Sequence, residues 1–289
     1  MDRILFGDNQ FFGVNHSSDE KSRAQTIRFQ SNKAIMDVLD IALDEGITTF
    51  MCTTHDRIGY VCDIVRNNPK YQDFKIFPCM PYAHKYANAV TELGIMGTVK
   101  QFVPGNVFGT FAKGGLAFVK KDFASLAKIM IDAELKMFEG INTPVIWMQN
   151  VITDLLLGLG MTDFLVTYYH HIKENHHAEP GFITMNLPLL LDTLEEAGIQ
   201  NPTICASINK IGFRMSGSIE LYEKIIAQKR CNLVAMQVLA AGAIPPKEAF
   251  EYVCNLEGVD SILFGASSRA NISNSRQLIE EYSRQLVLM

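Results

Sequence analysis

The chain has 289 residues, of which 48% are hydrophobic and 20% are charged, and its formal net charge is −5. This balance is typical of a globular protein with a buried core, and it excludes the concentrated basic face of a nucleic-acid-binding protein. No apolar run is long enough to span a bilayer, and the N-terminus lacks the pattern of a secretory signal. We therefore expect a cytoplasmic protein with reduced cysteines and no membrane partner.

Short apolar runs alternate along the chain with amphipathic segments of helical period, which is the pattern of βαβ units in a parallel sheet. Each run is nearly continuous, as expected for strands that are covered on both faces. Eight such units predict an α/β protein, a single (β/α)8 TIM barrel over residues 1–289. The predicted strands are 3–8, 48–52, 75–80, 144–149, 181–186, 203–207, 232–237 and 261–265.

Helix boundaries are marked by capping residues. Ser31 and Asp122 are predicted to cap the helices that follow them, and Pro245 and Pro246 fit the first turn of another. The alternative fold is a doubly wound open sheet. It is disfavoured because residues 8–13 lack the glycine-rich loop that such a sheet carries after its first strand.

Two connections are longer than the minimal unit requires. Residues 10–30 form a polar connection after strand one. Residues 83–143 predict a long insertion between strands 3 and 4, with two helices around a glycine-rich, aromatic loop at 104–121. Long loops in compact domains are usually functional or disordered. We expect each connection to be either a lid over the barrel or a mobile insertion.

The C-terminal ends of the strands carry the chemistry in a barrel of this kind. The predicted ends are rich in amide side chains, which orient a polar substrate but do not titrate. Some of these amides are expected only to satisfy the backbone of their own loops. The predicted substrate-binding residues are Asn9, Gln149, Asn150, Asn186, Asn209, Gln237 and Tyr82.

Proton transfer is assigned to His55, Asp56, Lys210 or Asp8, the titratable residues at these strand ends. His55 and Asp56 follow strand two as an acid/base pair. The alternative is that Asp56 caps the next helix and that His55 is a surface residue. Lys210 fits either a Schiff base, if it is desolvated, or a contact with an anion.

Metal coordination is not predicted, because no HxH, HExxH or CxxC spacing occurs in the chain. Two histidine pairs, at 170–171 and 176–177, are explained by the preference of histidine for helix C-termini. We therefore leave these histidines out of the predicted site.

An anion site is predicted where the last strand enters the last helix. Small residues, free backbone N–H groups and the helix dipole favour a phosphate there. Ser267, Ser268 and Arg269 are its candidate ligands. A serine that only caps the helix is the simpler explanation of the two hydroxyls.

Three segments resemble the aldo-keto reductase superfamily. They are residues 238–249, 258–268 and, more faintly, 44–50. The resemblance implies a barrel, an oxidoreductase activity, and a nicotinamide cofactor such as NADP(H) with its phosphate at residues 267–269. It also implies a catalytic Asp and Tyr, but these align with Met51 and Asp56.

The other two members of the family's catalytic tetrad also lack a counterpart. No lysine occurs in residues 77–82, where the family places one, and no histidine occurs in residues 147–150. Tyr82 is the candidate for a relocated proton donor. The sequence therefore predicts a divergent member without the Asp/Tyr/Lys/His tetrad.

Three functions remain open at this point. The first is a divergent barrel enzyme that acts on a small polar metabolite, phosphorylated or carboxylated. The second is an NAD(P)-dependent oxidoreductase with a relocated proton donor. The third is a non-catalytic barrel that binds a metabolite or a partner protein. The partner is a small-molecule substrate in the first two, and the sequence leaves the oligomeric state open.

Overall fold

Eight parallel strands pair in chain order, and the last pairs with the first to close a barrel. The computed structural model describes residues 1–14, 18–81 and 119–287. The predicted strands are confirmed, with ends that agree to within two residues, and the open sheet is excluded. The strands are β1 Ile4–Gly7, β2 Thr49–Thr53, β3 Lys75–Met80, β4 Val145–Met148, β5 Glu179–Thr184, β6 Thr203–Ser207, β7 Asn232–Met236 and β8 Ser261–Phe264.

Ten α-helices surround these strands in the described part of the chain. None of them is long and apolar enough to cross a membrane. The helices are α1 Asp19–Arg28, α2 Asn32–Asp44, α3 Ile58–Asn67, α4 Val119–Leu135, α5 Asn150–Gly158, α6 Thr162–His171, α7 Leu187–Glu196, α8 Ile219–Ile226, α9 Pro246–Cys254 and α10 Arg269–Val287.

The capping predictions are confirmed in two cases and wrong in one. The Ser31 hydroxyl accepts the N–H of Ala34 at 3.2 Å, and Pro246 opens α9. The predicted cap at Asp122 is wrong because α4 already begins at Val119. Nothing in the sequence around Asp122 indicates that the helix begins three residues earlier.

The barrel interior is filled by a small apolar cluster that is separate from the larger core between strands and helices. Trp147 of β4 is its largest member and is fully buried. The indole fits because Gly181 lies beside it on β5. A Cβ at Gly181 would lie 2.3 Å from Cε3 of Trp147, so any larger residue would collide with the ring.

The first residues of the chain join β1 to its neighbours at the N-terminal end of the barrel. Asp2 forms an ion pair with Lys75 at 2.9 Å and accepts a hydrogen bond from Thr49. Its backbone carbonyl accepts the Ser261 hydroxyl at 2.7 Å. Asp2 therefore contacts β2, β3 and β8 together.

The two long connections differ in what the structure describes. Residues 10–30 contain a 3-10 turn, Asn9–Phe12, and the helix α1, rather than an extended polar loop. Residues 82–118, which hold Tyr82 and most of the predicted 104–121 loop, lie outside the described residues. A lid role for either connection stays a prediction.

Candidate active site

The mouth of the barrel is formed by side chains at the upper edge of the interior cluster and directly above it. Side chains two residues apart on a strand point to the same face. The residues that follow the interior side chains of β2 to β6 by two positions therefore lie around the mouth. They are Thr53, Cys79, Gln149, Met185 and Ser207.

Asp8 is the most buried acidic side chain predicted for the site, and it directly follows β1. The backbone N–H and the hydroxyl of Thr53 both donate to Asp8 Oδ2, each at 2.7 Å. Burial raises the pKa of Asp8, and the two bonds from Thr53 lower it only in part. Asp8 is thus a carboxyl that keeps its proton to a higher pH than usual.

Cys79 lies close enough to Asp8 to interact with it electrostatically. Burial raises the pKa of the Cys79 thiol far above its usual value, and the Asp8 carboxylate raises it further. A thiol of this kind is a poor nucleophile, because only the thiolate reacts. Cys79 is therefore an apolar wall of the mouth.

Gln149 and Gln237 place amides directly after β4 and β7, at the strand ends that the sequence predicted. Gln149 donates to the Cys79 carbonyl at 3.4 Å. The Ser207 hydroxyl donates to Gln237 Oε1 at 2.9 Å and lies 3.0 Å from the sulfur of Met185. Both glutamines are half-buried, which suits contacts with a polar substrate.

The other amides of the predicted site have local partners or lie on loops. Asn209 is fully buried, and its amide donates to the Phe213 carbonyl and accepts the Phe213 N–H, both at 2.8 Å. Asn186 caps α7 by accepting the N–H of Leu189 at 3.3 Å. Asn9 is exposed at the start of its 3-10 turn, and Asn150 is the first residue of α5.

The structure does not bring His55 and Asp56 together as a buried pair. The His55 ring stacks on Phe12 with centroids 4.3 Å apart, and its Nδ1 accepts the Arg57 N–H at 3.1 Å. The neutral ring therefore carries its proton on Nε2. Asp56 is exposed, and α3 begins after Arg57 at its cap position.

Lys210 is half-exposed, with 51% of its side chain accessible, and its ammonium group lies 3.3 Å from Glu248. A Schiff-base lysine needs desolvation to lose its charge. The structure contradicts that part of the hypothesis, because Lys210 is solvated and paired. A contact between Lys210 and a substrate anion stays a prediction.

The predicted anion site contains a cation that the sequence analysis missed. Arg28, the last residue of α1, donates to the Ser267 hydroxyl at 3.2 Å and to the Ser267 carbonyl. Ser268 caps α10 by accepting the N–H of Asn271 at 3.3 Å. A guanidinium, two hydroxyls and the start of a long helix thus meet at one point.

Arg269 is directed away from this point. Its guanidinium pairs with Asp44 at 2.9 Å and with Glu45 at 3.3 Å, at the end of α2. These ion pairs engage Arg269 in the described structure, and its predicted contact with a cofactor stays a prediction.

Solved structures of other proteins contain the same barrel. A protein of Pseudomonas aeruginosa assigned to the aldo-keto reductases matches with a TM-score of 0.62 and 12% identity, over 98% of this chain and 90% of that one. The fold is that of the aldo-keto reductases. AKR11C1 from Bacillus halodurans, in its holo form, matches with a TM-score of 0.53 and 10% identity over 98% and 91% of the two chains.

A Gox0644 variant in complex with NADPH also matches, with a TM-score of 0.53 and 8% identity over 99% and 89% of the two chains. Identities this low show a shared fold and no more. No protein-family model matches the sequence, and no curated protein does either. The resemblance seen in the sequence is thus confirmed for the barrel, and the loss of the tetrad stays a prediction.

Two further residues of the rim were missed by sequence reasoning. Asp154 of α5 accepts the Thr184 hydroxyl at 2.5 Å and the Met185 N–H at 3.0 Å. Burial raises the pKa of Asp154, and these bonds lower it only in part. The signal available in the sequence was Asp154 itself, a single acidic residue within the apolar run 151–159. Glu134, which accepts the Thr54 hydroxyl, gave no such signal.

Proposed function

We propose that the protein is an oxidoreductase that uses a nicotinamide dinucleotide and acts on a small polar compound at the barrel mouth. The contact of Arg28 with Ser267 at the start of α10 carries the proposal. It supplies a positive charge beside hydroxyl donors at a helix N-terminus, which is the donor set that a phosphate requires.

The residues at this point fit the phosphate of such a cofactor. Ser267 accepts from Arg28 through its oxygen, so its own hydroxyl hydrogen is left to donate to an anion. Gly265 packs against Gln10, and a Cβ there would lie 2.3 Å from Gln10 Oε1, so a larger residue would require the Gln10 side chain to move. When bound, a nicotinamide cofactor supplies or accepts a hydride.

Asp8 is the residue to which we assign proton transfer. A reduced carbonyl oxygen must gain a proton, and Asp8 holds one more strongly than an exposed carboxyl does. The two bonds from Thr53 fix the orientation of the carboxyl. Gln149 and Gln237 then bind the polar groups of the substrate, and the apolar walls at Cys79 and Met185 exclude water.

The cofactor half of the proposal is tested by titrating the purified protein with NADPH in a calorimeter. Arg28→Ala is compared with Arg23→Ala, which removes an exposed arginine from the same helix. Losing one charge-assisted contact should weaken NADPH binding by about ten- to hundredfold in Arg28→Ala and leave Arg23→Ala unchanged. No binding of NADPH or NADH to the wild type would refute the proposal.

The catalytic half is tested with a panel of small aldehydes and ketones in the presence of NADPH. Asp8→Asn keeps an oxygen that accepts from Thr53 but removes the transferable proton. We expect kcat to fall by about 10²- to 10⁴-fold with unchanged NADPH affinity. An active Asp8→Asn variant would transfer the role to another residue. A wild type that binds NADPH but reduces nothing would favour a binding protein.

A further inference from the structure

Three side chains that could hold a metal ion meet where α4 packs against the end of α6. Asp132 belongs to α4, His171 ends α6, and His176 ends the π-helical turn Ile172–His176 that follows it. Asp132 Oδ1 lies 2.7 Å from Nε2 of His171 and 2.7 Å from Nε2 of His176. The three ligand atoms all lie within 4.8 Å of one another.

The π-helical turn explains how two histidines five residues apart reach one carboxylate. An α-helix turns by about 100° per residue, so positions five apart point about 140° away from each other. A π-helix bonds residues five apart and brings them back to one side. The rings of His171 and His176 accordingly have centroids only 5.4 Å apart. Turns of this kind are frequent at functional sites.

We propose that Asp132, His171 and His176 form a site for a divalent transition metal of the zinc class. Two imidazole nitrogens and one carboxylate oxygen are ligands that zinc takes in proteins, with water in the fourth position. Imidazole ligands suit zinc, copper and nickel, whereas magnesium and calcium require oxygen ligands. These three side chains therefore favour a metal of the zinc class, and this argument does not depend on the proposed function.

The geometry requires only a small rearrangement. Bonds of about 2.1 Å to a tetrahedral zinc separate neighbouring ligand atoms by about 3.4 Å. The present contacts of 2.7 Å must therefore open by roughly 0.7 Å, which is within the reach of side-chain rotation. The ion then replaces the hydrogens that now lie between each Nε2 and the carboxylate.

A neighbouring amide must adjust when His171 binds a metal. The side-chain amide of Asn175 lies 3.0 Å from Nδ1 of His171. An imidazole that binds metal through Nε2 carries its hydrogen on Nδ1 and usually donates it to an oxygen. The Asn175 amide nitrogen also donates to the His171 backbone carbonyl at 3.2 Å, so Asn175 must give up its contact with Nδ1 when His171 binds a metal.

The burial of the three side chains suits a bound ion that enters from solvent. His171 is 6% exposed, His176 is 23% exposed and Asp132 is 47% exposed. The carboxylate side is thus open for entry and for a water ligand. His176 lies three residues before β5 begins, on the segment that leads into the N-terminal end of that strand, where residues contribute to stability rather than to catalysis.

The experiment is a calorimetric titration of the chelator-treated full chain with zinc, repeated with cobalt to read the coordination from its visible spectrum. We expect one ion per chain and a four-coordinate cobalt spectrum. His176→Ala should weaken binding at least a hundredfold. His170→Ala is the matched control, because His170 is an exposed neighbour that pairs with Glu174 at 3.4 Å instead. Its binding should equal that of the wild type.

A thermal melt adds a readout that does not depend on any activity. Zinc at about one hundred times its Kd should raise the Tm of the wild type by about 5 °C, and should not raise that of His176→Ala. Asp132→Ala should lose zinc binding in the same way as His176→Ala. If that variant fails to fold, Asp132→Asn, which keeps a hydrogen-bonding oxygen for both histidines, should bind zinc more weakly than the wild type. Absence of saturable zinc binding at micromolar concentration, or equal binding by wild type and His176→Ala, would overturn the proposal.

Discussion

Replacing Gly181 by alanine should overfill the centre of the barrel. A Cβ at this position lies 2.3 Å, 2.6 Å and 2.7 Å from Cε3, Cδ2 and Cζ3 of Trp147. Carbon atoms in contact are normally about 3.5–4.0 Å apart, so the ring or the strand must move by about 1 Å. The ring is fully buried, so it cannot swing out into solvent. We expect Gly181→Ala to lower the free energy of unfolding by about 1–3 kcal/mol.

Trp147 also provides the assay, because it is the only tryptophan of the chain. Its fluorescence reports on the barrel interior directly, and far-UV circular dichroism reports on the whole fold. Urea titrations followed by both signals give the free energy of unfolding. Gly59→Ala is the control, because a Cβ there meets nothing within 4 Å. The control should be neutral or slightly stabilising, by up to about 1 kcal/mol.

A double-mutant cycle separates the collision from any general effect of the alanine. Trp147→Leu removes the ring atoms that the new methyl group meets, at its own cost in stability. In that background Gly181→Ala should cost less, by about 1–3 kcal/mol. The reasoning is refuted if Gly181→Ala matches the wild type, or if its cost is the same with and without the ring.

Two further predictions concern polar side chains of the rim. Asn209→Ala removes both hydrogen bonds to the Phe213 backbone and should cost about 1–3 kcal/mol in urea unfolding; a loss near zero would show that water replaces the amide. Burial raises the pKa of Asp8 above the 3.8 of an unperturbed aspartate. The protonated Asp8 therefore contributes stability that is fully present below pH 3.8. This contribution is lost as the pH rises through the raised pKa of the folded protein. Asp8→Asn should therefore gain stability relative to the wild type as the pH rises, and a pH-independent difference between the two would contradict the assignment.

The strands were predictable because each is covered on both faces. In β6 and β7, interior side chains such as Cys205 and Val234 alternate with neighbours that face the helices, so nearly every position is apolar. A continuous apolar run of this kind is visible in a single sequence. The closed order of the strands then follows from counting eight of them.

The site was less predictable because its contacts join distant parts of the chain. Arg28 lies in a connection that looked like a polar loop, and only the fold brings it to Ser267. Asn209 and Asn186 occupy strand ends as predicted, but their amides serve their own loop and helix. A residue type at a strand end does not reveal whether its partner will be a substrate or the backbone.

Because β1 pairs with β8, the barrel cannot close until its last strand has been synthesised. Asp2, just before β1, contacts Lys75 of β3 and Ser261 of β8. The first of these strands is synthesised soon after Asp2, and the second is the last strand to be synthesised. Until β8 leaves the ribosome, β1 has one unpaired edge of backbone hydrogen-bonding groups. The nascent sheet is therefore open for most of its synthesis, and this stage is when it is most exposed to aggregation and to capture by chaperones.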